Sequence, residues 1–462
     1  MKTFKEQSER FWEEEALPAL VEFGTIPNVS PAYDPMWKKN GHMERAATYL
    51  ADWIRTRPVK PTISIQQLQN RTPLLFCEIN PSGSETILIY GHFDKQPDMP
   101  GWRDGLSAWN PVREGDYLYG RGLADDGYAV FAALGAIEAA MNSGASLPRI
   151  ILLLEGSEES GSEDLPAYLE LLKDEIGTPS VVITLDAEGR DVNHLWLTET
   201  LRGLVNGTLH IQTLTAPMHS GLATGIVPSA FRIARMLLAR IEDTETGILQ
   251  NATVNPPIPS EVRPRINSLA AAVGEHFLSA YDLPTSLRTV ETTTEGSIER
   301  NLFSAGLEIT GFDGLPPPER AGNVMTASLT LKLSLCIPPW AECSEVARTL
   351  KHILEDNPPY GARVEYTAHE MDNGWVAKSL SKRTADALAT ASQETYGDAP
   401  VRSGIGASIP FIGMMGRAYP TADQIVTGIL VPSSNAHGPN ENLYLPQVVK
   451  LTEWMARFLT KL

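Results

Sequence analysis

The sequence predicts an α/β protein whose central, mostly parallel sheet is interrupted by an inserted α+β domain. Two observations carry this. Through about residue 200, helical patterns alternate with short, nearly continuous apolar runs such as TPLLFCEI (72–79) and TILIYG (86–91); strands covered on both faces look like this. After about residue 203 the runs give way to strict apolar–polar alternation, the mark of a sheet with one covered face. From about 395 the buried-strand texture returns. The expected domains are therefore 1–202 and 391–462 for the interrupted one, and 203–390 for the insertion.

The elements follow in order. Helical patterns at 5–22 and 43–56 lead to the two strands at 72–79 and 86–91. Next come a helix at 126–142, a strand at 149–155, a helix at 165–175 and the strand SVVITLD at 180–186. Within the insertion, VNGTLHIQTL and VMTASLTLKLSL alternate with period two, putting Met325, Ala327, Leu329, Leu331, Leu333 and Leu335 on one face. Helices at 228–242 and 343–355 would cover that face, while the Pro-rich segment 255–264 and GLPPPERAG (314–322) read as loops. DQIVTGILV is a buried strand, and 445–460 a last helix.

Bulk properties exclude several function classes. A chain of 462 residues with 42% apolar content is long enough for more than one domain and a large core. The formal charge of −18 argues against nucleic acid or an anionic membrane as partner. Cys77, Cys336 and Cys343 are too few for a disulfide framework and lack zinc-finger spacing. The opening MKTFKEQSERFWEEEALPAL reads as an amphipathic helix rather than a signal peptide, and no apolar run approaches membrane-spanning length. The expectation is a cytoplasmic enzyme or binding protein.

Chemistry gathers at the strand ends. IILLLEGSEESGSEDL (151–166) closes a buried strand with Glu155, Glu158, Glu159, Glu163 and Asp164, and neighbouring carboxylates there raise the cost of staying ionised. Glu163 and Asp164 are expected to open the following helix; Glu155 has no role beyond strand-end structure. GHFD places His92 and Asp94 just past another strand, where i and i+2 side chains point the same way, about 6–7 Å apart. GRGLADDG puts Asp125 and Asp126 where a glycine-rich turn meets a helix, Asp186 ends its strand, and NAHGPNE carries His437 among turn residues. In α/β sheets ligands collect outside the carboxyl ends of the strands. These oxygen and nitrogen donors suit Zn²⁺, Mn²⁺ or Co²⁺, and the absence of cysteine among them fits a catalytic site.

Taken in order, GHFD, GRGLADDG, EGSEESGS, the strand-final Asp186, APMHSG and NAHGPNE resemble the M20 family of dinuclear metallopeptidases. That family includes carnosinase-like dipeptidases, acetylornithine and succinyl-diaminopimelate deacylases and glutamate-releasing carboxypeptidases, and EGSEESGSEDL with the wide spacing is most similar to the dipeptidase branch. The resemblance implies a zinc-peptidase-like catalytic domain with an inserted ferredoxin-like lid and dimerisation domain. It further implies two divalent ions per subunit, most simply Zn²⁺. His92 and Asp186 would hold one, Glu159 and His437 the other, and Asp125 would bridge. Asp94 would orient His92, and Glu158, free of metal, would be the general base acting on a metal-bridged water. His219 of APMHSG would reach the partner subunit's site in a homodimer and stabilise the oxyanion. Gly406, Ala407 and Ser408, in RSGIGASIPF, match the family's glycine-rich turn, which can offer backbone N–H groups to a substrate carboxylate.

The pattern departs from the family in two places. Gly127 and Tyr128 follow the acidic pair where Lys-Gly is usual. In LKLSLCIPP, Leu335 aligns with the arginine that clamps a dipeptide's carboxylate, and leucine cannot replace a bidentate, charge-assisted contact. Arg320, Arg402 or another cation would have to serve, or the substrate lacks a carboxylate there. The leading expectation is hydrolysis of a dipeptide or short peptide. Deacylation of an N-acyl amino acid is the second, and a non-catalytic binding protein on the same fold the third.

Overall fold

The computed structural model describes residues 2–80, 83, 85–274, 276–279, 281 and 283–462. Among these, ten strands carry the two large sheets: β1 (Thr62–Gln66), β2 (Leu74–Ile79), β3 (Thr86–His92), β4 (Arg149–Glu155), β5 (Val181–Thr184), β6 (Gly203–Gln212), β7 (Gly306–Asp313), β8 (Ser328–Ile337), β9 (Arg363–Asp372) and β10 (Asp423–Val426). The helices needed here are α1 (His42–Arg55), α2 (Ala129–Asn142), α3 (Ala230–Leu238), α4 (Cys343–Glu355), α5 (Lys382–Tyr396) and α6 (Leu445–Leu459). The chain divides into one unit of Met1–Glu199, Ala377–Ser403 and Ile409–Leu462, and a second of Thr200–Val376 and Gly404–Ser408.

In the first unit the sheet order is β1-β2-β4-β3-β5-β10. Strands β4, β3, β5 and β10 run parallel, and β2 is antiparallel to both β1 and β4. β3 is buried along its whole length after Thr86, which is why its sequence shows no polar face. One face is covered by α2, buried continuously from Ala129 to Ala140, and by α6, whose Trp454 is fully buried and stacked on Phe458 at 5.4 Å. On the sheet's central strand, Tyr90 stacks on Phe411 at 4.3 Å. Because β4 and β5 flank β3 on opposite sides, the strand order reverses there, and the three parallel strands end on the same side of the sheet.

The second unit is a four-stranded antiparallel sheet in the order β7-β8-β6-β9. With α3 and α4 it has the β-α-β-β-α-β succession of ferredoxin-like folds. Burial alternates residue by residue along β6 and β8, and the buried side chains pack with α3 and α4 in one core. Leu329, Leu331, Leu333, Leu335 and Ile337 form its β8 contribution; Met325 and Ala327 precede the strand and are half-buried.

Two expectations shift, and two strands went unread. The boundary expected at 390 falls inside α5, whose Ala387, Leu388 and Ala391 belong to the first unit's core, so that unit resumes at Ala377. The loop expected at 255–264 ends where helix Arg263–Val273 begins, with proline in its first turn, a position that needs no N–H. The edge strands β7 and β9 left no clear signal because most of their residues are exposed or half-buried on both faces.

Candidate metal centre

His92 is the last residue of β3 and is 1% exposed. Its Nδ1 lies 3.1 Å from the Asp94 carbonyl oxygen and 3.4 Å from Asp94 Oδ1. These acceptors place the proton on Nδ1 and leave Nε2 as a donor atom toward the site. Nε2 lies 3.3 Å from Asp125 Oδ1, 3.7 Å from Asp186 Oδ2 and 4.0 Å from Glu158 Oε2.

Asp125 sits in a non-helical step just before α2, with φ −124° and ψ 91°. Its other oxygen, Oδ2, lies 3.0 Å from His437 Nε2. One carboxylate thus presents an oxygen to each histidine, the geometry of a bridging ligand. His437 Nε2 is also 3.3 Å from Glu159 Oε2, to which Gln96 Nε2 donates at 2.5 Å. The neighbouring Asp126 points elsewhere and accepts the His92 backbone N–H at 3.2 Å.

Glu158 and Glu159 lie in a single 3₁₀ turn after β4. Asp94, fully buried, accepts the Glu158 N–H on one carboxylate oxygen and the Glu159 N–H on the other, each at 3.0 Å. Asp94 therefore supports the acidic pair as well as His92. Glu155 has a role the sequence did not disclose: its carboxylate accepts from Tyr90 Oη, from Ser162 Oγ at 2.8 Å and from Ser157 Oγ at 3.1 Å, tying down both ends of the loop. Asp164 stands at the N-cap of helix Leu165–Leu171, as expected, but its carboxylate serves elsewhere. It accepts from Arg71 Nη1 at 2.7 Å and from Thr72 N and Oγ1 at 2.8 and 2.9 Å, and makes no cap bond to the helix that follows.

Crowding buried carboxylates has the expected electrostatic result. Burial, then Asp186 and Glu159, push Glu158 well above the ordinary carboxylate range. Burial and Asp125 raise Asp186 to about 7, and burial raises Glu159. Burial opposes ionisation of Asp125 too, yet His437 and His92 hold it below the usual range. Burial would lower His437, but Asp125 and Glu159 outweigh it and lift the ring to about 11. Carboxylates outnumber imidazoles in this cluster, and a cation would reverse the rise in those carboxylates.

The residues fit a divalent cation. One ligand atom from each of His92, Asp125 and Glu159 lie within 4.8 Å of one another, and so do those of His92, Glu158 and Asp186. Glu159 Oε1 and Asp126 Oδ1 are buried with no hydrogen-bond partner among the described residues. All donors are oxygen or imidazole nitrogen, a set for Zn²⁺, Mn²⁺ or Co²⁺. The model of peptidase family M20/M25/M40 matches residues 88–461, a span that holds every one of these groups.

The chain belongs to the M20 peptidase family. Among curated relatives of this metallopeptidase, the cysteinylglycine-S-conjugate dipeptidase of Corynebacterium striatum is 23% identical over 81% of this chain and 80% of its own. The Cys-Gly metallodipeptidase DUG1 of Candida albicans is 26% identical over 72% and 69%. In solved structures, human carnosine dipeptidase 1 shares the fold with a TM-score of 0.76 at 20% identity, covering 100% of this chain and 99% of that one. The Saccharomyces cerevisiae dipeptidase Dug1p also scores 0.76 at 20% identity, over 99% and 97%. The M20 dipeptidase branch named from the motifs is thereby supported. No helix among the described residues is long and apolar enough to cross a membrane.

The remaining expected site residues of this M20 enzyme lie away from the metal cluster in sequence. His219 is exposed in the second unit, on a two-residue strand, Met218–His219, paired with Val324–Met325. Its Nδ1 accepts the Gly221 N–H at 3.1 Å, so the neutral ring carries its proton on Nε2. Gly406, Ala407 and Ser408 form a turn of the second unit, in which Ser408 Oγ donates to Asp372 and the Gly406 carbonyl accepts from Arg202 Nε at 2.7 Å. Arg402 pairs with Glu199, and Arg320 is exposed in the turn Pro318–Arg320. Leu335 is 1% exposed in the α3–α4 core, so its side chain leaves the opposite face of β8 to Ser334 and Cys336.

Arg202, just before the alternating strand, drew no expectation. Its guanidinium donates to the Gly406 and Ser304 carbonyls, no carboxylate among the described residues pairs with it, and burial lowers its pKa. Gln96, Arg121 and Glu441 lie inside or beside the motifs, and nothing in the sequence marks their part. Their partners lie 63 to 320 residues away, which sequence spacing cannot reveal.

Proposed function

We propose that this chain hydrolyses the amide bond of a dipeptide or short peptide at a centre of two divalent cations. The split of the Asp125 carboxylate between two histidines carries this reading. His92 and Asp186 would hold one cation and Glu159 and His437 the other, with Asp125 available to both. When bound, the cations lower the pKa of a water and polarise the scissile carbonyl.

The chain's own residues do the rest. Glu158 accepts the proton of the attacking water and passes it to the leaving amine nitrogen. Its environment suits this, since burial and neighbouring acids raise its affinity for a proton. Asp94 fixes the turn that aims Glu158, and holds the His92 ring. The Gly406–Ser408 turn of the second unit is our candidate for binding a carboxylate through backbone N–H groups. With Arg402 paired to Glu199, the cation we place at that turn is Arg202.

His219, with a donor on Nε2, stabilises the oxyanion from the partner subunit of a homodimer. Exposed apolar side chains on the second unit support association: Leu222, Ile226, Phe231 and Met236, with Ile309 and Phe312 on the edge strand β7. Phe231 and Phe312 are 6.4 Å apart, so the helix and strand contributions join. Mixing Glu158→Gln and His219→Ala chains tests the arrangement, because complementation between two inactive variants requires the histidine to act in trans. A mixture that stays as inactive as its parts contradicts it.

The test of the reaction itself is a panel of dipeptides against N-acyl amino acids, assayed before and after chelation. Dipeptide cleavage that chelation abolishes and added Zn²⁺, Mn²⁺ or Co²⁺ restores is expected. Turnover of N-acyl amino acids alone would replace the peptide reading by deacylation.

A further inference from the structure

We infer that Arg121 and Glu441 are a positioning pair that sets His437 against Asp125, an inference that rests on the two-cation reading of the site. The two residues are 1% and 0% exposed, and Arg121 Nη1 donates to Glu441 Oε2 at 2.7 Å. Beyond that bond their contacts cross. Arg121, four residues before Asp125, donates Nη2 to the backbone carbonyls of His437 at 3.0 Å and Gly438 at 2.8 Å. Glu441, four residues after His437, accepts through Oε1 the N–H groups of Gly122 at 3.0 Å and Ala124 at 3.3 Å, the backbone that leads into Asp125. The Gly120 N–H also donates to the Glu441 carbonyl at 3.0 Å. Each motif's charged residue grips the other motif's main chain.

His437 requires such a hold. Its side chain is 57% exposed, so packing does not fix the ring. Its φ of +64° lies in the left-handed region, which a residue with a Cβ keeps only when its surroundings impose it. A buried ion pair is also a poor stabiliser by itself, because desolvation offsets the attraction. What Arg121 and Glu441 gain is the registration of two loops that supply ligands to the same cation. The arrangement also explains arginine: only a planar fork reaches a carboxylate and two carbonyls at once.

Arg121→Lys separates this role from simple stability, because lysine keeps a cation beside Glu441 but cannot span all three acceptors. Wild-type, Arg121→Lys and Glu441→Gln holoenzymes are challenged with graded chelator, and the ions retained per chain are counted by native mass spectrometry. The wild type is expected to keep two. Both variants are expected to fall to one at chelator levels the wild type resists, recovering the second at about 10- to 100-fold higher free metal. A merely structural role would lower the melting temperature and leave the count at two; that result overturns the proposal. Loss of fold in both variants overturns it as well, since the pair would then be a core element. A wild type that keeps fewer than two ions brings down the reading of the site, a failure the unmodified chain reveals before any variant is compared.

Discussion

The two histidines of the centre are held by different means. His92 ends a central strand, is almost fully buried, and has its ring set by Asp94. His437 stands in a loop with an exposed side chain and a left-handed backbone, and its main chain is gripped by Arg121. A strand-borne ligand inherits the precision of the sheet, whereas a loop-borne one needs a dedicated hold. The difference teaches where variation should bite: changes in the sheet's core cost stability, and changes around the loop cost metal.

The sharpest cut across this comparison is Glu158, whose Oε2 lies 4.0 Å from His92 Nε2 and which we assign to the proton rather than to a cation. Glu158→Gln is expected to lower kcat by about 10³-fold, within the usual span for a lost general base, with both cations retained. Metal counting alongside steady-state kinetics checks it. A variant keeping more than about a tenth of wild-type kcat would remove Glu158 from its role, given that span.

Leu335→Ala is the opposite probe, since it touches the second unit's core and no ligand. It is expected to destabilise by about 2–5 kcal/mol in denaturant unfolding, while the metal count stays at two. Metal loss in this variant would mean that ligand geometry depends on packing far along the chain.

Asp94→Asn tests the strand-borne side. Asparagine retains an acceptor oxygen but offers one where the carboxylate offers two, for N–H groups that both need satisfying. Metal affinity is expected to fall about 10- to 100-fold, read by competition with a chromogenic chelator. An unchanged affinity would mean that the strand and the Asp94 carbonyl hold His92 without the carboxylate.

The last probe concerns Lys95, which follows Asp94 and is fully buried with its Nζ donating to the Phe23 and Ile26 carbonyls. Burial lowers its pKa to about 7 from an unfolded value of 10.5. Between these values the unfolded chain binds the extra proton, so stability should rise with pH through this window and the penalty is complete below about 7. The contribution is about 1.4 kcal/mol per pH unit. The pH dependence of urea unfolding should lose this slope in Lys95→Met, and an identical slope in both proteins would contradict the shift.

Much of the fold was legible because each unit wears its layering openly. Doubly covered strands such as β3 read as apolar runs, and β8 alternates because only one of its faces meets helices. The motifs of the candidate ligands were legible for a related reason, since strand ends concentrate polar residues in fixed contexts. What escaped was long-range or unpatterned. β9 buries too little on either face to show a period, and α5 buries small residues that barely mark a face. The Arg121–Glu441 contact joins residues 320 apart. Leu335 shows two readings in conflict: its place in the alternating row already assigned it to the covered face, and alignment with a substrate-binding arginine set it on the other. The periodicity was the better guide, because a one-residue slip on a strand reverses the face.

The central claim is that two divalent cations share Asp125 and that hydrolysis depends on both. Native mass spectrometry of the wild-type chain, titrated with Zn²⁺ while dipeptide cleavage is followed in the same samples, tests it most directly. The account expects two ions per chain at saturation, with cleavage rising as the second one binds. A chain that reaches full activity with one ion, or cleaves with none, would contradict it.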